Sequence, residues 1–174
     1  MPDDTAAGGN GRLVLFSIKP QHAQAIYNGE KKFEYRRVPP STEVPYGGLL
    51  YESGKSGQIT GHIRVVHENQ DYVGNIIDQT ADRVPHTADE LRRYFRGCDI
   101  GTALQIGGYG RFDPPIPISF VREFESDFSV PQNFRYIERE LFEKAQQRAI
   151  SHVENGGLIH QYTTDNERGG DARK

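Results

Sequence analysis

The sequence holds a single cysteine, Cys98, which excludes an internal disulfide and a cysteine-rich zinc site, since each needs several sulfurs. It also lacks any apolar run long enough to cross a bilayer, and its opening residues, MPDDTAAGGNGR, have neither the basic start nor the apolar stretch of an export signal. A reducing, cytoplasmic setting without a membrane partner is expected. Excess positive charge is missing as well: the formal net charge is −3, so the chain does not hold nucleic acid by bulk electrostatics.

Several catalytic signatures are absent. His22, His62, His67, His86, His152 and His160 show no HxH or HExxH spacing, so no metal is expected. Gly54-Lys55-Ser56 lacks the glycine of a phosphate loop five residues earlier, where Leu49 stands. Gly108 and Gly110 lack the third glycine of a dinucleotide fingerprint, because Asp113 occupies that place. No G-x-S-x-G elbow surrounds Ser17, Ser53 or Ser119. No cofactor is expected.

What the 174 residues do offer is one domain's worth of chain, 35% hydrophobic and 26% charged, long enough to bury a core. Residues 1–11 and 158–174 read as polar tails. Residues 13–19, LVLFSIK, suit a buried first strand. Pro20 then opens a helix with Ala23, Ile26 and Tyr27 on one face, ended by Asn28-Gly29. From Lys32 to Arg37 the period falls to two, predicting a strand with Phe33 and Tyr35 on one face and a wet face of Lys32, Glu34 and Arg36. Residues 48–53 and 58–66 form a hairpin, with Gly61 marking a bulge or bend. Thr87 with Glu90 three positions on is a capping box for a short helix ending at Gly97. Residues 102–106 and 116–124 are expected as the last two strands. Pro131 opens a longer amphipathic helix on Phe134, Ile137, Leu141 and Ala145. The organisation expected is therefore a small β-barrel with two short helices over residues 12–125 and an appended helix within 126–157.

Chemistry concentrates near the first helix. Between Arg12 and Arg37 six basic residues face two acidic ones, an excess of +4 against −7 for the remainder. On a strand, Glu34 and Arg36 project the same way, and Lys31 at the helix–strand junction swings toward them. A solvent-facing, salt-bridged strand is the alternative reading of this run. Arg92, Arg93 and Arg96 around Tyr94 and Phe95 form a second basic group, read as arginines in water over a core-facing aromatic pair.

LFSIKPQHAQAIYNGEKKFEYRR resembles the start of ASCH domains: a strand, S-x-K-P, a short helix, then G-x-K-x-x-E-x-R, whose fixed positions are filled by Gly29, Lys31, Glu34 and Arg36. Leu50-Tyr51-Glu52-Ser53, Ile59 with Gly61, Tyr94-Phe95, residues 103–106 and Phe112-Asp113 with Pro115-Ile116 are similar to the family's later blocks. The resemblance covers residues 13–123 and implies a PUA-like β-barrel with a cleft beside the first helix. Ser17, Lys19, Lys31, Glu34, Arg36, Tyr51 and Tyr109 are the ligand-binding candidates, with the tyrosines and Phe112 as stacking surfaces for an unpaired base. RNA or a nucleotide is the partner it implies, with DNA left open. Some relatives hydrolyse acetylated cytidine or RNA; for an enzyme here, Lys31 and Glu34 would be the acid/base pair. The acetylcytidine branch carries threonine where this chain has Glu34, and a carboxylate does not replace a hydroxyl nucleophile without a change of mechanism.

Overall fold

The computed structural model describes residues 12–54 and 57–154, with side chains through Arg148; both expected tails and the end of the expected C-terminal helix lie outside the described residues. The first strand, β1 (Leu13–Ile18), is buried along almost its whole length, and its alternation sorts side chains between two cores. Leu13 and Leu15 join Leu49, Ile59, Phe112 and Phe142, whereas Val14, Phe16 and Ile18 join Ala23, Ile26, Leu50 and Ile63. A strand that feeds two cores belongs inside a sheet, and β1 lies between β3 (Tyr46–Glu52), which is parallel to it, and β6 (Phe134–Ile137), which is antiparallel.

Helix α1 (Pro20–Tyr27) begins with proline in its first turn and stops at Asn28, after which Gly29 takes a φ of 73°. This turn leads into β2 (Phe33–Arg36), which pairs with the start of β5 (Ile100–Pro117). Phe33 and Tyr35 pack against Ile76, Ile77, Leu91 and Phe95, as the period of two requires. The opposite face is not wet: Glu34 is only 8% exposed and Arg36 only 6%. Helices, a loop and the neighbouring strand cover that face, and the alternation alone does not report such covering.

The expected hairpin is present as β3 and β4 (Gln58–Tyr72), with the ladder shifting register around Gly61. Gly61 has no room for a side chain, since a Cβ there would lie 2.2 Å from the Gly110 carbonyl oxygen and 2.6 Å from the Tyr27 hydroxyl. Helix α2 (Val73–Thr80) follows β4 and was not expected; it buries Ile76 and Ile77. Helix α3 (Ala88–Tyr94) carries the expected capping box between Thr87 and Glu90.

Two further expectations, about element boundaries, are corrected. The strands placed at 102–106 and 116–124 are one continuous β5 followed by helix α4 (Ile118–Arg122), because β4 pairs with β5 from Tyr72–Ile100 through to Gln58–Pro117 and carries it across the glycines and prolines. The helix expected from Pro131 instead starts as β6, whose backbone pairs with β1, and only then becomes α5 (Arg139–Glu154). Leu141, Phe142 and Ala145 of α5 do pack into the first core.

The sheet order is β2-β5-β4-β3-β1-β6, an open mixed α/β arrangement with β2 and β6 at its ends rather than a ladder closed into a barrel. Arg36 on β2 nonetheless reaches Asn133, just before β6. The two ends of the sheet thus approach across a seam bridged by a side chain. No helix among the described residues is long and apolar enough to cross a membrane.

Candidate functional site

A cavity of about 970 Å³ opens along this seam. Its walls come from the end of β1, the start of α1, all of β2 beyond Phe33, the face of α3 and residues 130–133. Lys31 is aimed inward by the turn at Gly29, because the backbone N–H groups of Glu30 and Lys31 both donate to the Ala25 carbonyl, at 2.9 and 3.0 Å.

Three charged side chains form the floor. The Lys31 ammonium lies 3.4 Å from Glu34 Oε2, and Arg36 Nη2 lies 2.9 Å from Glu34 Oε1, so each carboxylate oxygen faces one cation. Lys31 also donates to His86 Nε2 at 3.0 Å, which fixes that imidazole as neutral with its proton on Nδ1. His22 stands edge-on to His86, with ring centroids 4.8 Å apart. Arg36 donates to the Ser17 carbonyl at 3.3 Å and, through Nη1, to both the main-chain and side-chain oxygens of Asn133. Its Nε is buried without a hydrogen-bond partner, where buried donors are ordinarily satisfied.

The titration behaviour follows from this packing. Burial pushes the Glu34 carboxyl up, but Lys31 and Arg36 together outweigh it and hold the group below the usual carboxylate range. For His86, burial and then the neighbouring Lys31 charge lower the pKa to about 4. His22 is lowered by the same two causes. Both imidazoles are therefore neutral near pH 7. The lining then carries Lys19, Lys31, Arg36, Arg37 and Arg93 against only Glu34 and Glu90, an excess of three positive charges.

Of the residues selected from the sequence, Ser17, Lys19, Lys31, Glu34 and Arg36 meet at this cavity. Tyr51 and Tyr109 do not line it; each packs against a hydrophobic core, and Phe112 is buried in one. The tyrosines that do line it are Tyr35, which is buried, and Tyr94, 39% exposed, whose hydroxyl donates to the Tyr35 carbonyl and whose own carbonyl accepts from Arg37 Nε at 2.7 Å. His22, His86, Arg93 and Asn133 were not selected from the sequence. Only Arg93 carried a signal, in the basic group on α3, while the others are isolated polar residues brought in by the fold. Among the described residues, no three His, Cys, Asp or Glu side chains group closely enough to hold a metal ion.

The chain is similar to a known protein in sequence and in fold. The chain is 22% identical over 131 residues to an ASCH domain-containing ribonuclease of Zymomonas mobilis subsp. mobilis, covering 75% of this chain and 88% of that one. The crystal structure of ASCH from Zymomonas mobilis superposes with a TM-score of 0.70 at 21% identity, covering 80% of this chain and 94% of the other. This chain folds as an ASCH domain. A mutant crystal form of the same protein superposes with a TM-score of 0.71 over 83% of this chain. No family model matches the sequence. In this chain Lys31, Glu34 and Arg36 share one cavity floor, and Gly29 supplies the turn that precedes them.

Proposed function

We propose that the cleft binds single-stranded RNA or a nucleotide, with its phosphate drawn to the cationic lining. The observation that carries this reading is the excess of three positive charges gathered in one cavity of a chain whose net charge is −3. The volume of about 970 Å³ suits a nucleotide-sized ligand. Arg36, whose Nη groups are held by Glu34, Ser17 and Asn133, keeps a spare Nε donor, and Lys31 supplies a point charge, both within a buried setting where charge-assisted hydrogen bonds are strong. The ribonuclease name of the Zymomonas relative favours RNA over DNA.

Fluorescence anisotropy of a labelled single-stranded RNA across a salt series tests this. Affinity is expected to fall linearly in log–log form with salt, and Arg93→Ala, at the exposed rim, to weaken binding and flatten the slope by about 0.7. Binding that ignores both salt and Arg93 would contradict the reading.

A second reading, RNA cleavage, is favoured by the contact between Lys31 and His86. In such a step the substrate's own 2′-hydroxyl would attack the phosphorus, losing its proton to solvent, as the P–O5′ bond breaks, and a lysine whose ammonium is pulled below its usual range by burial is suited to donate a proton to the departing 5′-oxygen. Arg36 would stabilise the charge developing on the phosphate. Glu34 serves here as the counter-ion that holds both cations, since its depressed pKa makes it a weak base at pH 7. Both of its oxygens are engaged, which disfavours a nucleophilic role of the kind amide hydrolysis requires.

A further inference from the structure

We propose that Asn133 is a specificity-determining residue that selects guanine over adenine in the cleft. This rests on the nucleotide reading given above. Arginine only donates hydrogen bonds, so the Asn133 side chain must turn its amide oxygen toward Arg36 Nη1, and this settles which end of the amide is which. The amide nitrogen, with two N–H donors, is left on the other side of an exposed residue that lines the cavity.

The residue is also pinned. Its main-chain carbonyl accepts from the Ser17 N–H at 3.0 Å and from Arg36 at 3.3 Å, and two positions earlier the Pro131 carbonyl accepts from Ser17 Oγ at 2.5 Å. A free asparagine reads adenine through both ends, its oxygen taking N6–H and its nitrogen giving to N7. Here Arg36 Nη1 holds the oxygen, so the two-ended mode is disfavoured and the free end of the Asn133 amide presents two N–H donors to the ligand. Guanine presents two acceptors, O6 and N7, on the corresponding edge.

Calorimetric titration of the full chain with GMP, inosine monophosphate and AMP tests the assignment. GMP and inosine monophosphate, which share O6 and N7, are expected to bind about tenfold more tightly than AMP. Asn133→Ala is expected to bring the ratio toward one. Asn133→Asp keeps an oxygen for Arg36 but replaces the donors with an acceptor, and is expected to shift the ratio toward AMP whatever its effect on overall affinity. Equal binding of GMP and AMP by the native chain, or a preference surviving both substitutions, would overturn the assignment while leaving the nucleotide reading intact. Failure of all three nucleotides and of a short single-stranded RNA to bind would overturn both.

Discussion

At the scale of single residues, Glu34 decides whether the cleft can exist. Two cations are held almost out of water by its carboxylate, Lys31 at 4% exposure and Arg36 at 6%. Removing one member of a buried ion network leaves uncompensated charge, so Glu34→Ala is expected to lower stability by about 3–5 kcal/mol in urea denaturation at pH 7. Because the folded-state pKa of Glu34 lies below its unfolded value, its contribution is complete above the unfolded pKa of about 4.3 and is lost as pH falls through the folded pKa. Native protein should therefore lose stability on acidification below about pH 4, through a component that Glu34→Gln lacks. The spacing of Lys31, Glu34 and Arg36 was legible in the sequence, and so was their convergence. Their burial was not, since it depends on His86 and Asn133, residues that lie far along the chain and come close only in the fold.

At the scale of elements, local signals held and non-local ones did not. Pro20 and Gly29 delimit α1, and Thr87 with Glu90 caps α3, because each rests on hydrogen bonds within a few residues. The 3.6-residue spacing of Phe134, Ile137 and Leu141 suggested a helix, yet the open edge of β1 recruits residues 134–137 as a strand, a preference residing in a partner more than a hundred positions away. The continuity of β5 likewise comes from β4. Gly61 tests that pair: Gly61→Ala would drive a methyl group into the Gly110 carbonyl and the Tyr27 hydroxyl, the latter bonded to Thr60 at 2.8 Å. Since a backbone oxygen cannot rotate aside, the substitution is expected to destabilise the fold by about 1–3 kcal/mol or more, read as a lowered denaturation midpoint with an unchanged m-value.

At the scale of the molecule, the sheet stops short of closing and its two ends meet through Arg36 and Asn133, so the seam of the fold is also the floor of the cleft. The charge distribution has the same organisation. With three excess positive charges in the cavity and −3 on the whole chain, −6 is left on the rest, so the net charge outside the cavity opposes a polyanion while the cavity attracts it. The most direct measurement is backbone amide chemical-shift mapping during titration with a short single-stranded RNA. Perturbations are predicted at Ser17, at Lys31 through Arg37, at Arg93 and Tyr94, and at Asn133. Shifts confined to another surface, such as the acidic hollow of Glu43 and Glu68, or no shifts at any RNA concentration, would contradict the account.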